Sequence, residues 1–354
     1  MDKQFWAGRI QSIVPYVAGE QPKDKQYIKL NTNENPYPPS PRAMEALRAA
    51  ATPDLRLYPD PDCAPLKAAL SKVYGVPESH IFVGNGSDEV LAFCFAAFTD
   101  ADTAAVFPDL TYSFYPVYAE LFASKTRIVP VRDDFSIPLE ELCHNDGTVV
   151  LTNPNAPTSL AVSRAEIERV LRANPDHVVI VDEAYVDFGA ESALPLLGQY
   201  DNLLIVQTMS KSRSFAGLRV GYAFGSESLI AALDAVKNSF NSYTIDRAAM
   251  LAATAAVEDT EYFADVCKKI SATRDDVIVR LRALGFLVPE SKSNFVFVRH
   301  PAHSGEALFR ALRERGILVR WWGKPRIADY LRITIGTPEE MDALVKALRE
   351  LTEG

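Results

Sequence analysis

The sequence predicts an α/β protein: a large domain built on a mostly parallel sheet, followed by a smaller α+β C-terminal domain. Three observations predict it. Between about Ser71 and Gly225, short apolar β-rich runs alternate with helix-like segments. Beyond Gly225 the alternation gives way to longer helices with a few strands between them. The chain has 354 residues, more than one ordinary core accommodates. The expected division is an N-terminal arm (1–40), a large domain (41–245) and a small domain (246–354).

The elements follow in order. Residues 21–41 are rich in Pro and Asn and read as irregular chain. Residues 41–51 open on Pro41, suited to a first helical turn, and continue with Ala, Leu and Met. The runs IFVG (81–84), AAVF (104–107), TRIVPV (126–131), VVLT (ending at Thr152), HVVIVD (177–182) and NLLIVQT (202–208) are near-continuously apolar. Strands covered on both faces, as in parallel sheets, have that pattern. Helix-like segments such as 163–173 lie between several of them. In the C-terminal part, 261–284 reads as a long amphipathic helix ended by Gly285. After it come NFVFVR (294–299), a helix at 305–315, a short GILVR strand, YLRITIG (330–336) and a final helix from Pro338.

Bulk properties exclude some functions. Net charge is -9 and no long basic run occurs, which argues against nucleic-acid binding. Cys63, Cys94, Cys143 and Cys267 are scattered without metal-ligand or redox spacing, so reduced thiols are expected. The opening MDKQFWAGRIQS lacks the apolar stretch of a signal peptide, and no segment approaches a membrane span. A cytoplasmic protein without membrane contact is the expectation. His300 and His303 lie three apart with no acidic or Cys partner motif, so they read as loop histidines and no metal site is expected.

In parallel sheets, ligands sit beyond the carboxyl ends of the strands. The residues there are Gly84-Asn85-Gly86-Ser87-Asp88-Glu89, Asn153-Pro154-Asn155-Ala156-Pro157-Thr158, Asp182-Glu183-Ala184-Tyr185, and Thr208-Met209-Ser210-Lys211 with Arg219 eight residues on. Taken singly, each has an ordinary meaning: a solvated lysine, a capped helix, an interface tyrosine. Together with LNTNENPYPPSP (30–41), LYPDP (57–61), TYSFY (111–115), GLRVG and YLRITIGT (330–337), they form an ordered set across nearly the whole chain. In that set the chain resembles the fold-type I aminotransferases that depend on pyridoxal phosphate, and within them the histidinol-phosphate aminotransferases. The resemblance implies a seven-stranded, mostly parallel sheet.

The resemblance also implies roles. Lys211 holds pyridoxal 5'-phosphate as a Schiff base, then shuttles a proton. Such an amine must be unprotonated when it attacks, so its pKa must fall from the usual ~10.4. Asp182 keeps the pyridine nitrogen protonated and Tyr185 meets the phenolic oxygen. Gly86, Ser87, Asp88, Ser210 and Arg219 form the phosphate cup at a helix N-terminus. Tyr112 stacks on the ring. Tyr58 reaches the phosphate of the neighbouring subunit, implying a homodimer with shared active sites. Where the family commonly reads N-P-N-N-P-T-G, this chain carries Ala156 and Ser159 in place of the second Asn and the Gly. Asn155, with Asn153 behind it, is then expected to meet the phenolic oxygen.

For substrate, Arg332 resembles the arginine that grips an α-carboxylate, and Arg320 a second substrate arginine. Planar guanidinium groups pair with such anions through two bonds. Tyr16 resembles a further contact to a substrate phosphate. Asn33 and Glu34 are expected to close over the ligand. Trp321 and Trp322 suit either an aromatic side pocket or core packing. The implied reaction exchanges the amino group between L-histidinol phosphate and 2-oxoglutarate, yielding imidazole acetol phosphate and glutamate. The alternatives on this scaffold are an aromatic amino-acid aminotransferase, a threonine-phosphate decarboxylase and a non-catalytic binding protein.

Overall fold

The structure, a computed structural model, describes residues 4–353. Twelve strands are formed among them: β1 (Ile28–Lys29), β2 (Ile81–Gly84), β3 (Ala104–Pro108), β4 (Thr126–Val129), β5 (Gly147–Thr152), β6 (Val179–Asp182), β7 (Leu203–Thr208), β8 (Gly221–Gly225), β9 (Phe295–Val298), β10 (Ile317–Leu318), β11 (Arg320–Trp321) and β12 (Leu331–Thr334). Seven make one sheet in the order β2-β8-β7-β6-β5-β3-β4. All pair in parallel except β8, which runs antiparallel between β2 and β7. Every residue of β5, β6 and β7 is buried, which is why their sequences are unbroken apolar runs. The edge strand β4 instead exposes Thr126 and Arg127, and a charged edge resists pairing with another chain.

Within the large sheet, the strand absent from the sequence reading is β8. Its sequence, GYAFG, has glycine at both ends, and the first of these has a structural reason. A Cβ on Gly221 would stand 2.3 Å from the backbone nitrogen of Ser87 and 2.4 Å from the carbonyl carbon of Gly86. The strand therefore presses directly on the turn that starts helix Gly86–Phe98. Gly221→Ala is expected to push this turn outward, costing about 1–3 kcal/mol of stability. It should also weaken cofactor binding at least about tenfold, read by melting temperature and by cofactor titration.

Helix starts follow local chemistry. Ser163 and Glu166 form a reciprocal capping box before Arg164–Ala173, and Ser40, Asp246 and Ser304 cap their helices through side-chain oxygens. The long helix Thr260–Ala283 ends where Gly285 adopts φ +83. The helix Arg247–Glu258, beyond the expected boundary at 245, buries Ala249, Met250, Ala252, Ala253, Ala256 and Val257 in the core beneath the large sheet.

A second core joins Thr260–Ala283, Gly305–Glu314 and Pro338–Glu353 to the antiparallel sheet β11-β12-β9. The GILVR run divides between β10 and β11. β10 pairs in parallel with β1 of the arm, and β11 pairs with β12. Leu30 of the arm is buried in this second core. The arm thus runs past the C-terminal sheet and on to the carboxyl ends of the large one.

Candidate active site

The carboxyl ends of β2, β3, β5, β6 and β7 open into one cavity. It is lined by Ser87 and Asp88, Tyr112, Thr152, Asp182, Thr208 and Lys211, and closed from the other side by Arg320 and Arg332. Lys211 follows β7, and Asn35 of the arm holds its loop. The Asn35 side-chain amide donates to the Lys211 carbonyl (2.9 Å) and the Ser212 carbonyl (3.3 Å). Ser212 in turn donates to half-buried Asp187 at 2.5 Å. The Lys211 ammonium donates to the carbonyl of Thr32 at 3.2 Å. Burial, assisted by the guanidinium of Arg332, pulls the Lys211 pKa down to about 8. A useful fraction of the amine is therefore neutral near physiological pH.

Asp182 ends β6 and is 2 % exposed. Tyr115 donates to its Oδ2 at 2.7 Å and the Ala184 amide to its Oδ1 at 3.2 Å. Since the Tyr115 proton is committed, Thr152 must donate to Tyr115 (2.6 Å) and Thr111 to Thr152 (3.1 Å), a one-directional chain of hydroxyls. Burial still raises the carboxyl pKa to about 6. Two neutral donors do not replace a cation here.

Helix Gly86–Phe98 starts without a side-chain cap, because the Asn85 amide is turned to the Thr244 carbonyl. Its N-terminus is the natural place for an anion. Arg219, itself at φ 55, lies against Gly86, where a Cβ would come within 2.5 Å of the guanidinium. Arg219 pairs with the Asp88 carboxylate at 2.8 Å and reaches Ser210 Oγ at 3.5 Å. Tyr112 donates to the same Asp88 carboxylate at 2.7 Å.

At the opposite end, Arg332 on β12 and Arg320 on β11 are register partners. Arg332 donates to the Asn31 carbonyl at 2.9 Å, while its buried Nε has no partner. Arg320 donates to the Val17 carbonyl at 3.1 Å. Both guanidinium groups stand over Trp322, at 5.4 Å (Arg320) and 5.2 Å (Arg332) from a ring centroid. Tyr16 stacks on Phe114 at 4.3 Å and also lines the cavity.

A half-buried lysine with a lowered pKa, a buried acid at a neighbouring strand end and an uncapped helix N-terminus thus share one cavity. The sequence model of the family described as "Aminotransferase class I and II" matches residues 25–348. The chain belongs to the class I and II aminotransferases. This aminotransferase is 56% identical over 351 residues to the histidinol-phosphate aminotransferase of Marinomonas sp. (strain MWYL1), covering 98% of this chain and 99% of the relative. It is 54% identical over 349 residues to that of Acinetobacter baylyi (strain ATCC 33305 / BD413 / ADP1), covering 98% and 97%. Among solved structures, histidinol-phosphate aminotransferase from Sinorhizobium meliloti in complex with pyridoxal-5'-phosphate superposes with TM-score 0.88 at 26% identity, covering 99% and 98%.

The aminotransferase's residues fit pyridoxal phosphate. Asp182 lacks a cation that a protonated ring nitrogen would provide. The amides at Gly86–Asp88 lack a side-chain cap that a phosphate would replace. When that group binds, Lys211 would hold it, Asp182 would face its nitrogen, and Ser87, Ser210 and Arg219 would take its phosphate.

Of the residues expected at the site, Tyr16, Asn33, Ser87, Asp88, Tyr112, Asp182, Tyr185, Ser210, Lys211, Arg219, Arg320 and Arg332 line the cavity. Gly86 lies behind Arg219. The expectation for Asn155 is corrected. Its amide donates to the Leu110 carbonyl and to Thr158, so the methyl of Ala156 faces the cavity instead. Asn153 is likewise spent on both backbone polar groups of Val162. Tyr58 is absent from its own chain's cavity and 78% exposed. Sequence reasoning missed Tyr115, Thr152 and Asn35. Tyr115 closes the TYSFY motif, Thr152 ends the VVLT run, and Asn35 is the second Asn of NEN, but only pairing shows what each holds.

Proposed function

We propose that this aminotransferase is a histidinol-phosphate transaminase. It moves the amino group between L-histidinol phosphate and 2-oxoglutarate, with imidazole acetol phosphate and L-glutamate as the other pair, in L-histidine biosynthesis. One observation carries the reading: the lysine and acid share a cavity with two arginines, of which Arg332 keeps a buried Nε without a partner. Pyridoxal phosphate, when bound, supplies a ring that withdraws electrons from the substrate Cα. Lys211 Nζ would carry the proton between the substrate Cα and the C4′ carbon of that group, off Cα when glutamate gives up its amine and onto it when the keto substrate receives one. Asp182 keeps the ring nitrogen cationic. Arg332 and Arg320 bind the anionic end of either substrate: the phosphomethyl group of one, the carboxylates of the other. The identities of 56% and 54% to histidinol-phosphate aminotransferases favour this substrate over aromatic amino acids or phosphothreonine.

The enzyme works as a homodimer, with Tyr58 reaching the partner's phosphate site. Supporting this, Tyr58 stacks on Tyr243 at 4.6 Å. Leu55, Leu57, Phe240 and Leu251 are exposed on the same two segments, an apolar surface of the kind that marks an interface. The cysteines are unpaired, in keeping with a cytoplasmic setting.

A substrate panel on purified, cofactor-loaded protein of measured sedimentation mass tests the reading. Histidinol phosphate should exceed phenylalanine and tyrosine in kcat/KM by at least about 100-fold, the worth of one well-paired anion. Equal turnover of the aromatic amino acids, or carbon dioxide release from phosphothreonine without a keto acid, would replace it. A monomeric mass would remove the shared site.

A further inference from the structure

Asn33 was expected to close over substrate, but its bonds point elsewhere. It is 1% exposed, with its backbone at φ 55 in the left-handed region. Its backbone N–H donates to Thr334 Oγ1 at 2.9 Å. The Thr334 hydroxyl, already an acceptor, donates its own proton to Asn33 Oδ1 at 3.2 Å. Asn294 Nδ2 donates to the Asn33 carbonyl at 3.0 Å. With Oδ1 so fixed, Nδ2 is turned to the Tyr185 hydroxyl, to which it donates at 3.0 Å. Tyr185 is packed edge-on against Phe295, with ring centroids 5.1 Å apart, so the phenol has little freedom. Because its oxygen accepts from Asn33, its proton is free to point into the cavity. Ala156 contributes only a methyl there, and the amides of Asn155 and Asn153 are committed elsewhere.

We propose that Asn33 is a positioning residue that acts on the cofactor through Tyr185, with Thr334 and Asn294 as its supports. It fixes which way the phenol donates and strengthens that donation by polarising it. The role rests on the pyridoxal phosphate reading of the cavity. It also ties the arm and the C-terminal sheet to the electronic state of the cofactor, since Thr334 lies on β12, two residues from Arg332.

The test is the pH titration of the visible absorbance of the cofactor-loaded protein. A donor at the phenolic oxygen favours the deprotonated chromophore, so losing it raises the midpoint. Asn33→Ala should raise it by about half to one pH unit. Tyr185→Phe should raise it further, and Asn33→Ala placed on Tyr185→Phe should add nothing, because the path runs through the phenol. Arg332, Asp182, Tyr16 and Lys211 also face Tyr185 and stay unchanged in these variants. Thr334→Val should move the midpoint the same way by less, and it carries the test if Asn33→Ala does not fold. An unmoved midpoint with a raised KM for histidinol phosphate would make Asn33 a substrate contact and overturn the proposal. So would an equal shift in the Tyr185→Phe background. If the parent protein gains no titrating band with pyridoxal phosphate, the cofactor reading itself fails.

Discussion

Lys211→Ala is expected to abolish the visible band that forms when the protein takes up pyridoxal phosphate, and to lower turnover by at least about 10³–10⁴-fold. The cavity shows no substitute amine: the other cations lining it are the guanidinium groups of Arg219, Arg320 and Arg332. The substitution should leave the fold intact, because it removes a cation whose desolvation is already unfavourable and whose hydrogen bond goes to the Thr32 carbonyl. In the parent protein, uptake should depend on pH. With the Lys211 pKa down at about 8, the neutral fraction rises about tenfold per pH unit below 8 and levels off above it. Stopped-flow absorbance across pH 6–9 reads both effects. A band that persists in Lys211→Ala, with turnover within tenfold of the parent, would remove this lysine from the mechanism.

Asp182→Asn is expected to separate function from stability. Turnover should fall by about 10²–10³-fold, the usual cost of losing one charge placed against the reacting group. The cofactor-free protein should behave in the opposite sense. The Asp182 carboxyl is raised from its reference to about 6 by burial, so the native state binds its proton more tightly than the unfolded chain. The stability this provides is complete below about pH 4 and is lost as pH rises through about 6. At pH 8 the parent therefore retains a strain of about 3 kcal/mol that asparagine lacks. An amide cannot accept from both Tyr115 and Ala184, which costs about 1 kcal/mol. The net is a gain of about 2 kcal/mol at pH 8. Near pH 4 it should turn into a loss of about 0.5–1 kcal/mol, since the strain is mostly gone and the lost hydrogen bond remains, and at pH 8 the gain should be offset once a cationic ring nitrogen faces the aspartate. Melting temperatures of both cofactor-free proteins at pH 4 and 8 check the sign. A variant that melts lower than the parent at pH 8 would show that Asp182 is not a strained acid.

Much of the site was legible because its residues end strands. Asp182, Lys211, and Ser87 with Asp88 each follow an apolar run, and parallel topology brings such ends together. Arg320, ending GILVR, and Arg332, inside YLRITIG, were legible through the family resemblance. Their meeting depends on the register of β11 with β12, which no spacing reveals. The glycine-bounded β8 was passed over, and its importance lies in a closeness to Ser87 that no spacing reveals. The helix Arg247–Glu258 was set in the small domain on the change of pattern after Gly225. Its alanines pack against Pro41–Ala49 and Ala64–Tyr74, partners about two hundred residues earlier in the chain.

The amino-acid sequence by itself determined the α/β class, the alternation that builds the sheet, the family, and the identity of the lysine, acid and arginines. These depend on local hydrophobic period and residue chemistry, both written along the chain. Tertiary structure alone decided where each side-chain amide is spent: Asn155 on Leu110, Asn35 on the lysine loop, Asn33 on Tyr185. An amide donates to whichever acceptor lies within about 3 Å, and that neighbour is set by folding rather than by its place in the sequence.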